Sequence, residues 1–317
     1  MKRVWTLAMA MAMAIIAPAA AQHSLPGNFP MGGDGPTQDF GGVREGITRP
    51  PGWSSGTRRG FVAGSFDLGF LYVRPRFQAG YGRPHFKWFG IDVNPIVSPG
   101  AIGGYGGFRI DHPYVNWRIG ARMAIPFSRS YMEDRPNTER FDRTDLNRDV
   151  EGEDGFYLSA ETELTLTIPI GGGVLFSETA FTYVSLVPED VFVYEDTIKV
   201  IVEPPWVWRQ RIGYMASFGE TGAVHVGLVA ELVGVPKRDL TVVRAGLLLR
   251  VWVSPRVEVR GAWIPAIVSR DDLGIRGGDF GLLGLRYRWA TGGISGEQSG
   301  DPAVLPELRE GEESPVH

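Results

Sequence analysis

Charged residues alternate with apolar ones along several segments of the chain. Because successive residues of a β-strand point to opposite faces, this alternation places the charges of each segment on one face. Guanidinium and carboxylate groups that share a face can pair with one another or attract dissolved ions. The basic residues of this set are Arg118, Arg122, Arg209, Arg211, Arg244, Arg250, Arg256, Arg260, Arg286 and Arg288, and the acidic ones are Asp92, Glu161, Glu163, Glu178, Glu231 and Glu258.

Residues for hydrolytic chemistry are poorly grouped in the sequence. A Ser–His–acid arrangement needs a serine and an acid beside a histidine in space, and only His85 and His225 fall on or near predicted strands. Glu161 and Glu163 share a strand face and could perturb each other's protonation. We interpret them as part of the charged face, predict that the protein is not an enzyme, and expect no cofactor.

An acidic segment could bind a cation. Residues 128–154 contain nine acidic residues and five arginines, and Asp145, Asn147 and Asp149 have the spacing that opens an EF-hand loop. Val150 stands where that loop requires glycine, and Phe156 stands where it requires a bidentate glutamate. A solvated surface loop is therefore the favoured interpretation. The weak candidates for calcium ligands are Asp145, Asp149, Glu151 and Asp154.

Composition excludes several classes of protein. The chain has 317 residues and no cysteine, which excludes a disulfide framework and thiol chemistry. A mean hydropathy of −0.07 excludes a bundle of membrane-spanning helices. The central part of the chain is nearly neutral, so nothing indicates binding to nucleic acid.

The two ends of the chain differ from its centre. Lys2 and Arg3 precede an apolar run that ends at small residues, which predicts a signal peptide over 1–21. Residues 22–58 contain nine glycines and five prolines, and we expect a disordered lead-in there. Residues 291–317 hold six acids against one arginine, which predicts a second disordered, acidic tail.

Residues 59–290 are built from alternating segments that are longer than ordinary strands. In 156–169, for example, Leu158 through Ile168 place apolar side chains at every second position. Segments of this length suit a tilted crossing of a bilayer. Short and long connections alternate between them, and aromatic residues gather near their ends, as in membrane barrels with short turns on one side and interfacial aromatic girdles.

The last predicted strand carries a family resemblance. Gly284-Leu285-Arg286-Tyr287-Arg288-Trp289 resembles the terminal strand of Gram-negative outer-membrane β-barrel proteins, which carry a glycine followed by aromatic or apolar residues three and five positions later. Two features depart from that pattern: Leu282 occupies a usually polar position, and 28 residues follow the final aromatic residue. The resemblance implies that Gly284, Tyr287 and Trp289 form the signal read by the barrel assembly machinery.

These observations predict an all-β fold, a closed antiparallel transmembrane β-barrel of about 12 strands over 59–290, with 10 strands as the alternative. The expected location is the Gram-negative outer membrane, with lipid around the wall and both tails in the periplasm. Arg256 and Arg288, near strand ends, are expected at the periplasmic mouth or among lipid headgroups.

Three functions remain open at this level. The first is a porin-like channel for small hydrophilic, particularly anionic, solutes. Its lumen would be lined by Arg118, Arg122, Arg244, Arg250, Arg260, Glu161, Glu163, Glu178 and Glu231. The second is a non-conducting scaffold, its narrow lumen filled by Arg–carboxylate pairs and its loops or tails docking another envelope component. A barrel-type lipid or protein hydrolase is the third and least favoured.

Overall fold

The computed structural model describes residues 53, 57–69, 73–97, 101–126, 131–133, 135–136, 139–147, 156–195, 197–219, 222–279, 284–292 and 294. The predicted signal peptide, nearly all of the predicted lead-in and most of the acidic tail lie outside these residues. Regular structure in the described part is almost entirely β, with two short 3-10 helices at Asp145–Asn147 and Gly274–Gly277. No helix found there is long and apolar enough to cross a membrane.

Thirteen of the strands form one antiparallel sheet that closes on itself. They are β1 (Arg59–Leu68), β2 (Val73–Arg83), β3 (Lys87–Val97), β4 (Ala101–Asp111), β5 (Val115–Pro126), β7 (Tyr157–Ile170), β8 (Gly173–Ser185), β11 (Trp206–Phe218), β12 (Val224–Val235), β13 (Leu240–Trp252), β14 (Val257–Trp263), β15 (Ala266–Val268) and β16 (Gly284–Ala290).

The ring contains twelve wall strands because β14 and β15 are two parts of one strand. Pro265 separates them, and proline has no amide hydrogen to donate to the ladder. Both parts pair with β13. The ring closes where the first strand meets the last, with Ala63 opposite Ala290 and Leu68 opposite Leu285. The prediction of a closed barrel with twelve strands is confirmed.

Residues 59–97, which include Pro75, form three strands. β1, β2 and β3 pair in sequence across 59–97, with Phe66 opposite Pro75 in the register. With three strands in this span, the barrel has the predicted twelve strands and not the alternative ten.

Connections at the two ends of the barrel have different lengths. One end, the short-turn end, holds tight connections such as 84–86, 112–114 and 171–172. The other, the long-loop end, holds the connections after β5, β8 and β15. Two of these contain a second, three-stranded sheet made of β6 (Tyr131–Glu133), β9 (Val191–Glu195) and β10 (Val200–Val202). The sequence predicted a surface loop over 128–154 and no strand at β9 or β10, so this second sheet was not expected.

The outer surface of the wall is apolar. Leu228 is 68% exposed and Ile91 is 59% exposed, although both lie in the middle of long strands. The alternate positions of the same strands are buried and polar, as at Asp92 and Glu231. A soluble protein would bury the first set and expose the second, so this inverted arrangement is that of a barrel surrounded by lipid.

Leu228→Arg tests the lipid-facing assignment. A charged residue at a central outward position of a membrane barrel should lower the free energy of unfolding by about 2–4 kcal/mol. Ile275→Arg is the control because Ile275 is 79% exposed but lies outside the wall, in the 3-10 helix Gly274–Gly277. Urea unfolding in lipid vesicles measures both variants. Equal stability of the two would contradict the assignment.

Candidate functional site: the lumen and its mouth

The inner faces of the strands carry a network of ion pairs, here named the lumen network. Most of its acids are buried, and a buried charge is stable only when paired. The pairs are Asp67 with Arg74 and Arg286, Asp92 with Arg76 and Arg109, Glu161 with Arg122, Glu163 with Arg118 and Arg209, Glu178 with Arg209, Glu231 with Arg211 and Arg244, and Glu258 with Arg250, Arg260 and Arg288.

The structure brings the sequence-predicted charged residues together in this network. The residues that sequence analysis missed are Asp67, Arg74, Arg76 and Arg109, on β1, β2 and β4. Prolines and glycines interrupt the alternation of polar and apolar residues in this part of the sequence. In β1 the alternate positions Phe61, Ala63, Ser65 and Asp67 nevertheless share the inward face. The expectation that Arg288 faces lipid headgroups is wrong, because its side chain is buried and pairs with Glu258; its backbone amide donates to the Arg256 carbonyl at the short-turn end. Arg256 donates to the Tyr287 hydroxyl at 3.3 Å.

The lumen network is unevenly accessible to solvent. The side chains of Arg74 and Arg260 are 31% and 36% exposed although they point inward, and that of Arg250 is 22% exposed. Arg244 on β13 and Glu231 on the adjacent β12 are fully buried at 1% and 0%. The part of the wall around Arg74, Arg250 and Arg260 therefore borders open space within the lumen.

A hairpin made of β9 and β10, here named the mouth hairpin, fills the other sector at the long-loop end. Its residues Val193, Ile198, Val200 and Val202 join one apolar cluster with inward-facing wall residues. The wall residues of this cluster are Tyr157, Val184, Val207, Val233, Val235, Leu240 and Val242. Because apolar contact removes water from both surfaces, the hairpin is seated against the wall and occupies part of the mouth.

The opposite face of the mouth hairpin is covered by loops. Phe192 and Ile201 pack with Phe141, Leu146 and Leu273. Apolar residues on both faces of a hairpin are unusual in a surface loop, and the runs Val191–Tyr194 and Val200–Val202 were the sequence signal for it. The mouth hairpin is thus a middle layer between the wall and the outer loops.

Arg244 holds the mouth hairpin to the wall. Its guanidinium donates to the carbonyls of Ile198 and Lys199 at the hairpin tip, both at 2.8 Å, and to the carbonyl of Gly277 at 2.7 Å. The same group pairs with Glu231 at 2.5 Å. Sequence analysis placed Arg244 in the lining of a channel, whereas these contacts connect the wall, the mouth hairpin and the 269–279 loop through this residue.

Two further arginines hold the 269–279 loop. Arg238 pairs with Asp271 at 2.6 Å, and its guanidinium lies 4.9 Å from the ring centroid of Phe141. Arg211 on the wall donates to Asp279 at 2.7 Å. Burial alone would raise the pKa of Asp279, but Arg211 holds it below its ordinary value. These charge-assisted hydrogen bonds hold the 269–279 loop against the wall.

The mouth is not completely filled. A cavity of about 390 Å³ lies beside the hairpin tip, and its lining includes Lys199, Arg140 and Arg270 as well as Asp271 and Asp272. Asp271 is already paired with Arg238. The cavity is therefore polar and is bordered by three cationic side chains.

The short-turn end carries an apolar cluster of its own. Trp53 packs with Phe86 and Ile294, and its indole nitrogen donates to the carbonyl of Pro255 at 2.8 Å. His85 lies 4.6 Å from the Trp53 ring, edge to face, and its Nε2 contacts the carbonyl of Trp289 at 3.0 Å. Burial of the ring, together with nearby Arg288, lowers the pKa of His85 to about 3.

One Ser–His contact among the described residues bears on the hydrolase hypothesis. Ser217 and His225 Nδ1 are 3.0 Å apart near the short-turn end. The strand register places Ser217 on one side of His225 and the cationic Arg250 on the other. A triad would need an acid to orient the imidazole, and the register neighbour in that place is a cation. The absence of enzyme activity stays a prediction.

Asp145 is the one proposed calcium ligand among the described residues, and its carboxylate already accepts hydrogen bonds from the protein. Asp145 accepts two hydrogen bonds from Arg135, at 2.8 and 3.1 Å, and one from the Asp142 amide at 2.8 Å. Burial alone would raise the pKa of Asp145, but these donors lower it. The other candidates, Asp149, Glu151 and Asp154, lie outside the described residues, within which no acid or histidine cluster suits a metal.

The residues of the predicted assembly signal lie on β16, the closing strand. Tyr287 is 43% exposed on the outer face, and the Trp289 ring lies across Gly64 of β1, where a Cβ atom would approach the indole to 2.7 Å. Gly284 stands opposite Arg260. These positions fit a strand that completes the wall, and recognition by an assembly machinery stays a prediction.

Comparisons with known proteins give remote structural likeness. Solved structures similar to the chain include a NanC porin (9% identity, TM-score 0.33, covering 73% of this chain and 98% of that chain) and BamA from Haemophilus ducreyi lacking POTRA domains 1–3 (8%, 0.33, 74% and 70%). OmpT, an outer membrane protein of Vibrio cholerae, is similar at 7% identity, with a TM-score of 0.31, over 74% of this chain and 99% of that chain. No protein-family model and no curated protein matches the chain.

Because these TM-scores are low, the class of the protein is defined by its own wall and lumen. Twelve antiparallel strands close into a ring with an apolar exterior and an ion-paired interior. The chain is a closed twelve-stranded antiparallel β-barrel with the apolar exterior of a membrane protein.

Arg244→Ala tests the tie between wall, hairpin and loop. Loss of this guanidinium leaves Glu231 with one partner and frees three carbonyls, so amide hydrogen exchange across 197–202 and 274–279 should rise at least about tenfold. Arg118→Ala is the control, since it removes a lumen arginine that contacts neither segment. Unchanged exchange in Arg244→Ala would contradict the assigned role.

Because the folded protein buries His85 in its neutral form, we expect the stability of the protein to depend on pH. The unfolded chain takes up a proton on His85 below about pH 6.5, whereas the folded chain does so only near pH 3. Stability contributed by the neutral ring is therefore complete above pH 6.5 and declines as the pH falls, by up to about 1.4 kcal/mol per pH unit.

His85→Asn isolates this contribution, because asparagine tolerates the positive φ of 58° at this position. Urea unfolding in vesicles between pH 8 and pH 4 should give a shallower pH dependence for the variant than for the wild type. Identical slopes would show that His85 is not buried in its neutral form.

Proposed function

We propose that the protein is an outer-membrane channel for small hydrophilic solutes, with a preference for anions, whose mouth is narrowed by the mouth hairpin. The observation that supports this proposal is the solvent exposure of inward-facing Arg74, Arg250 and Arg260 on the wall sector that the hairpin leaves uncovered. Water that reaches guanidinium groups inside a barrel provides a path for dissolved ions, and an excess of cations favours anions.

This function implies a cellular location and an orientation for the protein. Export by a cleaved signal peptide would carry the chain to the periplasm of a Gram-negative cell, and the assembly machinery would insert it into the outer membrane. The apolar exterior would then contact lipid. In that orientation the long-loop end, with the cationic cavity beside Lys199, faces the outside of the cell.

A second candidate is the non-conducting scaffold, in which the loops or tails dock another envelope component. The mouth hairpin and the Trp53 cluster favour it, since they place apolar layers at both ends of the barrel. The ion pairing of the lumen network favours it too, because paired side chains fill space between the walls.

Planar-bilayer recording separates the two candidates. The channel predicts steady conductance of the wild-type protein, and a several-fold larger conductance when residues 192–201 are replaced by a short Gly/Ser linker. Lys237→Gln is the control, since it removes a cation from a 59% exposed side chain at the same end without touching the hairpin's apolar contacts. If neither the wild type nor the linker variant shows any conductance, the scaffold is favoured and the channel is rejected.

A further inference from the structure

The cavity beside the tip of the mouth hairpin, here named the tip cavity, has an apolar side. Apart from Asp271, which pairs with Arg238, its most buried lining side chains are those of Val200, Val242 and Leu273. Its volume of about 390 Å³ falls within the range of small-molecule sites, about 300–1,000 Å³. An apolar group of a ligand would be shielded from water against these three side chains.

Two arginines of the tip cavity have no carboxylate partner among the described residues. Arg140 is exposed and forms no hydrogen bond or ion pair with them. Arg270 donates from Nη2 to the backbone carbonyl of Arg238 at 2.9 Å, while its buried Nε has no hydrogen-bond partner within the described part of the chain. Because planar guanidinium groups match the paired oxygens of a carboxylate, Arg140 and Arg270 can bind such a group of a ligand.

The lining also contains an acid whose charge is unpaired. The side chain of Asp272 is exposed and forms no hydrogen bond or ion pair with any described residue, while its backbone amide donates to the Phe141 carbonyl at 2.8 Å. Asp272 and the two arginines thus line one cavity without pairing with one another. Charges of both signs around one space are complementary to a ligand that itself carries both charges.

A free amino acid with an apolar side chain matches all three features of the tip cavity. Its carboxylate can face Arg140 and Arg270, its ammonium group can face Asp272, and its side chain can contact the apolar lining. A simple anion matches fewer of them, because Asp272 would repel it and the apolar side would stay without a contact.

We propose that the tip cavity binds a free amino acid with an apolar side chain, such as leucine. The inference deepens the proposed function and rests on it in one respect, since bound leucine would be a solute that enters the barrel from outside the cell. Binding itself requires only that the long-loop end is open to solvent.

Radiolabelled leucine is the probe, and equilibrium dialysis against the full-length protein in detergent measures its binding. The wild type should bind leucine saturably. Leucinamide lacks the carboxylate and isocaproate lacks the ammonium group, so each should compete at least about tenfold more weakly than unlabelled leucine. Glycine should also compete weakly, because it has no side chain to bury.

Two substitutions remove the exposed charges of the tip cavity. Arg140→Gln should weaken leucine binding about tenfold. Asp272→Asn should weaken leucine binding to a similar extent but should not weaken competition by isocaproate, which has no ammonium group for Asp272 to bind. Arg143→Gln and Asp239→Asn are the matched controls, since both remove an exposed charge that lies outside the cavity lining.

The outcomes distinguish this inference from the channel itself. Weaker leucine binding in both cavity variants and unchanged binding in both controls support the site, even if planar bilayers show no conductance, in which case the channel alone fails. Absence of saturable leucine binding, or equal effects of the cavity variants and the controls, would overturn the site, and a conducting wild type would then leave the channel standing. Isocaproate that competes as well as leucine would also overturn it, because the site would then select anions.

Discussion

Every backbone amide and carbonyl in an apolar surrounding must find a hydrogen-bond partner, and the structure depends on this constraint. Strands satisfy it sideways, and a sheet satisfies it at every strand only when the first strand pairs with the last. The pairing of β1 with β16 is therefore the contact on which the wall depends. Once the wall is closed, the strict alternation of each strand sends one set of side chains to the outside and the other to the lumen.

The lumen network is the consequence of that alternation. Arginines and acids that face inward are removed from bulk water, and their pairing limits the cost of burial. Where the pairs balance, as on the wall around Glu163 and Glu178, they fill and rigidify the interior. Around Glu258 three arginines share one carboxylate, and the side chain of Arg260 is 36% exposed to the lumen. Ion pairing thus fills one part of the interior and leaves another part accessible to solvent.

The mouth hairpin determines which part of the lumen is filled. It places apolar layers inside the long-loop end against one side of the wall, so the space that stays open lies to the other side. Arg244 connects the hairpin, the wall and the 269–279 loop through one guanidinium. Because these elements share that contact, movement of the hairpin and of the loop would be linked.

Residue alternation was sufficient to predict the barrel, its twelve strands and the inward direction of Arg118, Glu161 and Arg250, because the period of a strand is a local property of the chain. Asp67 and Arg74 were missed where prolines and glycines interrupted that period. The seating of the mouth hairpin, the tie formed by Arg244 and the sharing of Glu258 among three arginines were decided only by the tertiary structure. The physical reason is that sequence fixes which face a charge occupies, whereas its partner lies on another strand whose register is set when the whole ring closes.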